Sequence, residues 1–292
     1  MPHPTPWIGF SLLVDLVRSR TVTVLSGAGV STESGIPDYR GPETQETDHA
    51  PIRYGEFVES ERIRRHYWAR SAVGWPTFDA ATPNPGHAAL AALERSGVVN
   101  GLITQNVDRL HQEAGSDRVV ELHGALADVT CLTCGALTDR REVQERLRSL
   151  NPSWSRRASA LAPDGDAEIP WSATRDYTVP ACRGCGGILK PNVVFFGENA
   201  NPARVDAAWS LLEAADALLV VGSSLSVYSG FRFVRGAKQN DQPIGIVNLG
   251  STRGTPLSTV HVEARTGQVL PALAESLGVP VNRPAAATAS RA

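Results

Sequence analysis

The four cysteines of the chain have the spacing of a metal site, because they form two Cys-x-x-Cys pairs. One pair is Cys131 with Cys134, and the other is Cys182 with Cys185. Each such turn presents two thiolates on one side of a tight loop, and tetrahedral zinc takes four soft ligands of this kind. Because four protein ligands leave no open position on the ion, we predict a structural zinc rather than a catalytic one. A dithiol redox pair and unrelated buried cysteines are the alternatives.

A glycine-rich loop follows the first predicted strand and has the sequence Ser26-Gly-Ala-Gly-Val-Ser-Thr-Glu-Ser-Gly-Ile-Pro-Asp-Tyr-Arg40. Gly27 and Gly29 would let the backbone approach a pyrophosphate at a strand-to-helix turn. Thr32 stands where a Gly-x-Gly-x-x-Gly motif has its third glycine, so a purely structural turn explains the two glycines about as well. The segment from Ile36 to Arg40 adds a carboxylate, an aromatic ring and a guanidinium, which favours a ligand-binding loop.

Polar side chains also follow two other predicted strands. Asn106 and Asp108 could hydrogen-bond an amide, and Gln105 could hydrogen-bond a ribose, because α/β sheets bind ligands at their strand ends. A helix N-cap is the alternative role for Asp108. His123 follows the next strand, where an imidazole with an ordinary pKa near 6.5 could act as a general base. A purely structural histidine is the alternative.

Small polar groups end the two most clearly predicted strands, in the segments Gly222-Ser-Ser224 and Asn248-Leu-Gly250. Their size suits an adenosine moiety, although Gly222 alone could serve a turn. We therefore expect the nucleotide site to involve both segments.

Short aliphatic runs that alternate with helical patterns must position these residues. Near-continuous apolar strands are typical of a parallel sheet covered on both faces, so we predict an α/β fold with a doubly wound, mostly parallel, Rossmann-like sheet. Strands are predicted over 21–25, 102–104, 119–122, 217–221 and 244–248, and helices over 9–19, 86–95, 202–215 and 267–277.

Two stretches interrupt this alternation and are predicted to form a smaller lobe. Residues 41–84 form a helical insertion, and residues 127–190 form the zinc-binding module. The Rossmann-like domain then comprises residues 1–40, 85–126 and 191–280, and residues 281–292 are expected to be a disordered tail.

Composition limits the partners of the chain. Its 28 basic and 30 acidic residues give a net charge of −2, which disfavours a nucleic-acid partner even though zinc ribbons can bind one. The apolar runs are far shorter than the roughly 20 residues of a membrane span. No signal or transit segment is recognisable at the N-terminus, so we expect a cytoplasmic protein, in which disulfides are rare.

Taken together, these motifs resemble the sirtuins, the NAD-dependent protein lysine deacylases. The similarity extends over about residues 20 to 270 and includes GAGVSTESGIPDYR, TQNVD, HG, both Cys-x-x-Cys pairs, KPNVVFFGE, GSS and NLG. The chain is most similar to the class II branch, through RHYWAR (65–70), VGWP (73–76), residues 151–154, residues 161–166 and GSSLSVYSG (222–230). The lack of an organelle presequence favours a bacterial, cytoplasmic type.

The resemblance implies a reaction in which NAD is a co-substrate and an acylated lysine of a protein or peptide is the partner. The acyl oxygen attacks the ribose carbon as nicotinamide leaves, His123 and Asn106 are the catalytic residues, and the acyl group ends on ADP-ribose. The residues implied to bind NAD are Gly27, Ala28, Gly29, Ser31, Ile36, Pro37, Asp38, Tyr39, Arg40, Gln105, Asn106, Val107, Asp108, Gly222, Ser223, Ser224, Asn248, Leu249, Gly250 and Gly267. Those implied to bind the peptide, partly by strand addition, are Val193, Val194, Phe195, Gly197 and Glu198.

An expectation about the preferred acyl group comes from Tyr67 and Arg70. They resemble the Tyr-x-x-Arg pair with which desuccinylase-type sirtuins bind acidic acyl chains, and at i, i+3 they share a helix face. We therefore expect a preference for acyl groups larger than acetyl and possibly acidic. The alternative is that Tyr67 packs the small lobe while Arg70 forms an ordinary surface ion pair.

Two other functions use some of the same features. A protein mono-ADP-ribosyltransferase would use the same NAD pocket with a protein nucleophile. A non-catalytic NAD sensor or zinc-dependent binding module would have no need of a base such as His123.

Overall fold

The computed structural model describes residues 7–38, 51–154 and 166–281. These residues form two compact units. The first comprises residues 7–38, 82–122 and 200–281, and the second comprises residues 51–81, 123–154 and 166–199. No helix in these ranges is long and apolar enough to cross a membrane.

The described residues contain nine strands and nine α-helices. The strands are β1 (Val22–Ser26), β2 (Val99–Thr104), β3 (Val119–Glu121), β4 (Gly124–Cys131), β5 (Leu137–Asp139), β6 (Leu189–Val193), β7 (Ala217–Val221), β8 (Ile244–Asn248) and β9 (Val260–Glu263). The helices are α1 (Phe10–Arg18), α2 (Tyr54–Glu59), α3 (Glu61–Asp79), α4 (Pro85–Arg95), α5 (Leu110–Glu113), α6 (Arg140–Leu150), α7 (Pro202–Glu213), α8 (Tyr228–Gln239) and α9 (Thr266–Ser276).

The first unit contains a six-stranded parallel sheet with the order β3-β2-β1-β7-β8-β9. The chain runs from β1 outward to β3 and then returns to β7 on the other side of β1. In β1, Leu25 lies beside Ile103 of β2 and Val220 of β7. The order therefore reverses between β1 and β7, which is where doubly wound sheets bind their ligands.

Both faces of this sheet are covered by helices. Helices α1, α4 and α9 pack on one face, where Val24 and Leu219 point, and α7 and α8 pack on the face of Leu25 and Val220. The predicted doubly wound, mostly parallel sheet is confirmed, with β7 and β8 at their predicted bounds. Helix α8 and the edge strand β9 were not predicted from the sequence.

The second unit contains a three-stranded antiparallel sheet with the order β5-β4-β6. Helices α2, α3 and α6 complete it, and its core is rich in aromatic rings, including Phe57, Tyr67 and Trp68. The helical character predicted for residues 41–84 is observed from Tyr54 onward, and residues 41–50 lie outside the described residues.

The boundary between the units differs from the predicted one. Residues 123–126 and 191–199 were assigned to the Rossmann-like domain, but they belong to the second unit. The reason is pairing between β4 and β6, which places Gly124 opposite Val193. The tail predicted at 281–292 stays a prediction, since only Val281 lies within the described part of the chain.

The loops after β1 and β7 contact each other at the reversal of the sheet. The Gly27 N–H donates to the Val221 carbonyl at 3.1 Å, and the Gly29 N–H donates to the Gly222 carbonyl at 2.8 Å. Gly222 has φ of +57°, and a Cβ there would lie 2.4 Å from the backbone nitrogen of Val30. Glycine is therefore required at 222 for both conformation and space.

Substitution of Gly222 by alanine should destabilise the first unit strongly. We expect Gly222→Ala to cost about 3 kcal/mol or more, because the new side chain adds a clash with the β1 loop to its backbone strain. Gly250 is a matched control, since its φ of +84° is also left-handed but no atom lies within 4 Å of a Cβ there. Gly250→Ala should cost only about 1 kcal/mol. Equal falls in Tm for the two variants in thermal unfolding would contradict this account.

Candidate active site

Three polar side chains predicted to bind a ligand meet just beyond the ends of β1 and β2. The Ser31 hydroxyl donates to Asp108 Oδ2 at 2.6 Å and accepts from Asn106 Nδ2 at 3.1 Å. Ser31 and Asn106 are both buried. Burial raises the pKa of Asp108, while the hydrogen bond from Ser31 opposes that rise. The structure thus joins Asn106 and Asp108 through a shared serine, at the edge where the sheet reverses.

Asp108 also contacts the start of α5, although the N-cap residue of that helix is Arg109 and not Asp108. Its Oδ1 accepts the N–H of Leu110, the first residue of α5, at 3.0 Å. The two carboxylate oxygens therefore have different partners, one in the helix and one in the serine cluster.

Two buried histidines extend the cluster, and the sequence analysis missed both. His87 Nε2 lies 3.5 Å from the Ser31 hydroxyl, and His111 Nε2 lies 2.8 Å from the Ser26 hydroxyl. Burial lowers the pKa of His87 well below its ordinary value and that of His111 to about 4, so both rings are neutral near pH 7. The signal that could have revealed His87 is Asn84-Pro-Gly-His, a helix start in which Asn84 caps α4.

Hydrogen bonds fix the tautomer of His87. Its Nδ1 accepts the backbone N–H of Asn84 at 3.3 Å, so the neutral ring carries its proton on Nε2. Among the described residues, the partner of that Nε2–H group is the Ser31 hydroxyl, at 3.5 Å. Ser31 in turn donates its own proton to Asp108. The donor and the acceptor of each hydrogen bond from Asn84 to Asp108 are therefore defined.

Gln105 links the ends of β2 and β7. Its Nε2 donates to the Ser223 hydroxyl at 2.8 Å and lies 3.3 Å from the Ser26 carbonyl. A Cβ on Gly230 would lie 2.4 Å from Gln105 Oε1, so a larger residue there would displace the amide. The predicted contact of Gln105 with a ribose stays a prediction.

The remaining predicted cofactor residues are distributed around the same sheet edge. Asn248 Nδ2 donates to the carbonyls of Leu249 and Gly250, both at 3.0 Å, and so shapes the turn after β8. The Gly267 N–H donates to Glu33 in the β1 loop at 2.8 Å. Ala28, Ile36, Pro37, Asp38, Val107 and Ser224 also lie in the first unit, whereas Tyr39 and Arg40 lie outside the described residues.

His123 begins the second segment of the second unit and directly follows Leu122, the last residue of a segment of the first unit. Its carbonyl accepts the N–H of Val194 at 2.8 Å, which continues the pairing of β4 with β6. The side chain is half-buried. The backbone at this position is therefore held by the sheet of the second unit.

The segment predicted to pair with a peptide has several partners within its own unit. Besides the bond from Val194, Phe195 N–H donates to Glu198 Oε2 at 2.9 Å. The same oxygen forms an ion pair with Lys190 Nζ at 2.9 Å, and Gly197 turns the chain with φ of +83°. Peptide pairing by the backbone of this segment stays a prediction.

Tyr67 packs in the aromatic core of the second unit, as its alternative interpretation states. Its ring centroid lies 5.4 Å from that of Phe57 and 5.3 Å from that of Phe195, and the residue is buried. Contacts of this kind stabilise a core beyond the area that they bury.

Arg70 is also buried, so the alternative of an ordinary surface ion pair is wrong for this residue. Its Nε donates to the Ala167 carbonyl at 2.9 Å, and its Nη1 lies 4.0 Å from Asp166 Oδ2. The guanidinium and the carboxylate are each only 2% exposed. The ion pair of Arg70 is therefore an interior one.

The four cysteine sulfurs lie within 4.8 Å of one another. Two of the sulfur–sulfur distances between the pairs are 3.5 Å, for Cys131 with Cys185, and 3.8 Å, for Cys134 with Cys182. A tetrahedron of sulfurs at zinc–sulfur distances of about 2.3 Å has edges of about 3.8 Å, whereas a disulfide needs about 2.05 Å. The cluster therefore fits one structural zinc and contains no disulfide.

Backbone geometry prepares the cysteines for a metal. Gly135 and Gly186 donate their N–H groups to the carbonyls of Cys131 and Cys182, both at 2.9 Å, and have φ of +72° and +74°. The backbone N–H of Cys134 is the main cause that lowers the pKa of Cys131 to about 6, whereas contacts with the other three thiols raise the pKa of Cys185 to about 12. The thiolate is the form of cysteine that binds zinc.

Comparison with known proteins identifies the family whose sequence and fold this chain shares. The model of the Sir2 family matches residues 27–229. The mitochondrial NAD-dependent protein lipoamidase sirtuin-4 of Bos taurus is 49% identical over 259 residues, which is 88% of this chain and 82% of that protein. NAD-dependent protein deacetylase 1 of Streptomyces coelicolor is 50% identical over 275 residues, which is 94% of this chain and 92% of that protein.

Solved structures agree with these relatives. A Sir2 structure described with a p53 peptide and NAD+ has a TM-score of 0.76 and 30% identity, and covers 94% of this chain and 100% of its own. A structure from work on the mechanism and regulation of Sir2 enzymes has a TM-score of 0.74 and 32% identity, and covers 92% of this chain and 98% of its own. The matches in sequence and in fold show that this chain belongs to the Sir2 family, the sirtuins.

Proposed function

We propose that this sirtuin is an NAD-dependent protein lysine deacylase, which transfers an acyl group from lysine to ADP-ribose and releases nicotinamide. The observation that carries this proposal is the buried cluster of Ser31, Asn106 and Asp108 beside the reversal of a parallel sheet, where such folds hold dinucleotides. The names of its relatives, which include NAD-dependent deacetylases and lipoamidases, support it.

The first unit would hold NAD. Asn106 and Asp108 offer an amide and a carboxylate, which complement the donors and acceptor of the nicotinamide carboxamide. Ser31 keeps both side chains oriented, and the buried Ile36 supplies an apolar wall. NAD would supply the ribose carbon that receives the acyl oxygen when nicotinamide leaves. Asn106 would thus act in catalysis by holding the leaving group.

His123 would act as the base that removes a proton from a ribose hydroxyl. Its backbone is fixed by the bond to Val194, so its side chain starts from a defined position. A positioned imidazole typically contributes 10²- to 10⁴-fold to such a step.

We further propose that the enzyme prefers acyl groups longer than acetyl. The sirtuin-4 relatives of Bos taurus and Homo sapiens are named as lipoamidases, at 49% and 50% identity, and a lipoyl group is a long, uncharged acyl chain. The predicted contact of Tyr67 and Arg70 with the acyl chain stays a prediction, because both side chains are packed in the interior of the second unit.

Replacing His123 by alanine should lower kcat on an acyl-lysine peptide by about 100-fold or more, because the base is lost. Binding of NAD, measured by calorimetry, should change little. His261→Ala is the control, since His261 lies in edge strand β9, and it should leave both quantities at the parent's values. Transfer of ADP-ribose to protein in the absence of acyl-lysine would instead favour the mono-ADP-ribosyltransferase.

The acyl preference can be measured with peptides that differ only in their acyl group. We expect kcat/KM for lipoyl-lysine to exceed that for acetyl-lysine by about tenfold, since each buried methylene adds about 0.8 kcal/mol. Mass detection of the O-acyl-ADP-ribose product identifies the group transferred, and the unacylated peptide is the control. An acetyl peptide that reacts fastest of all would refute the preference.

Loss of one zinc ligand should release the metal and loosen the second unit. We expect Cys182→Ser to contain less than one zinc per chain and to exchange the amide hydrogens of β4 and β6 faster, because zinc binding supplies folding free energy. Thr133→Ser, a change at a non-ligand within the other Cys-x-x-Cys turn, should keep the zinc. Full metal content and unchanged exchange in Cys182→Ser would contradict a structural role for the metal.

A further inference from the structure

Two helices of the first unit, α4 and α7, begin with the same dipeptide, Asn-Pro. In each case the asparagine is the N-cap residue, and its side-chain oxygen accepts a backbone N–H of the first turn. Asn84 Oδ1 accepts the N–H of Gly86 at 2.9 Å, and Asn201 Oδ1 accepts that of Ala203 at 2.9 Å. An N-cap requires only an acceptor, so serine or aspartate would cap either helix about as well.

The two asparagines differ in what their amide nitrogens contact. Asn84 is buried, and its Nδ2 donates to the Val30 carbonyl at 2.7 Å and to the Ser34 hydroxyl at 3.0 Å. The orientation of this amide is defined, because Oδ1 must face the N–H groups that it caps. Asn201 is exposed, and within the described ranges its side chain makes only the capping hydrogen bond. The amide of Asn84 thus has a second role, which capping does not require.

Asn84 is attached to the loop after β1 on either side of Ser31. Val30 and Ser34 are the last residues of two successive 3₁₀ turns, and Ser31 stands between those turns. The hydroxyl of Ser31 is the centre of the buried polar cluster in the candidate active site. The amide of Asn84 therefore holds the stretch of backbone from which the serine reaches that cluster.

We propose that Asn84 is a positioning residue for NAD, which acts through Ser31 rather than by touching the dinucleotide. The proposal rests on the proposed function, in which the Ser31 cluster holds the nicotinamide carboxamide. Without the amide, the Val30 carbonyl loses a buried partner, and the loop can adopt conformations in which Ser31 has left the cluster. The apparent affinity for a ligand then falls with the fraction of molecules whose site is formed, whereas the bound state is unchanged.

The variants Asn84→Asp and Asn84→Ser test this role, because both keep an oxygen for the cap and lose the amide donor. We expect the Kd of NAD, measured by calorimetry, and the KM for NAD to rise about tenfold in each variant, since two hydrogen bonds are lost. The kcat at saturating NAD should stay within about twofold of the parent's, because bound NAD restores the formed site. Unchanged Kd and KM for NAD, or a fall in kcat alone, would overturn the proposal.

Asn84→Ser introduces no charge, so its values are sufficient if the buried carboxylate of Asn84→Asp prevents folding. Asn201→Asp and Asn201→Ser are the matched controls, since they make the same changes at an Asn-Pro cap whose amide does not contact the loop. Both should keep the Kd and KM for NAD within about twofold of the parent's values. An equal rise in the Asn201 variants would overturn the proposal, because the effect would then come from the loss of an asparagine cap.

Hydrogen exchange separates this proposal from the proposed function, because it requires no turnover. Without NAD, the backbone amides of residues 30–36 should exchange about tenfold faster in Asn84→Ser than in the parent, while those of α4, whose cap is kept, should be unchanged. Failure of the proposed function would appear as a parent without NAD-dependent deacylation and would leave this difference in exchange in place. Equal exchange of residues 30–36 in the parent and the variant would overturn the role of Asn84.

Discussion

The reversal of strand order between β1 and β7 is the constraint on which the first unit depends. Because both strands are parallel and adjacent, the loops that follow them leave the sheet at the same edge and must contact each other. Gly29 and Gly222 permit backbone contact at 2.8 Å, where any larger residue would force the loops apart. The loop after β1 is thus held in place by the strand on the far side of the reversal, and its glycines are needed for that packing.

Hydrogen bonds within the first unit orient the polar cluster at this edge. A neutral His87 has a single tautomer, because its Nδ1 accepts a backbone N–H, and this directs the Ser31 proton toward Asp108. Asp108 in turn is fixed by the first turn of α5. Buried polar groups stabilise a site most where each one has a hydrogen-bond partner, which His87, Ser31 and Asp108 have, whereas the buried Nδ1 of His111 has none among the described residues. A cluster oriented in this way would reduce the ordering cost of the NAD binding proposed for it.

The second unit is small, and features other than a large aliphatic core contribute to its stability. Its aromatic core is modest, and the four cysteines add a metal that can supply folding free energy where a hydrophobic core is limited. It also buries Arg70, Arg140 and Asp166, which stabilise one another only in a precise arrangement. These buried charges are therefore part of what holds the unit together.

The sequence by itself determined the features that depend on local spacing. The zinc cluster was predictable because each Cys-x-x-Cys turn is formed by neighbouring residues, and β7 and β8 were predictable because their apolar runs are uninterrupted. The grouping of Asn106 with Asp108 followed from their place at a strand end. Only the tertiary structure decided that Ser31 joins them, that His87 and His111 lie beneath, and that Arg70 pairs with Asp166. These contacts join residues that are distant in the chain. A buried charged or polar side chain needs a partner, and the tertiary packing determines which partner is within reach.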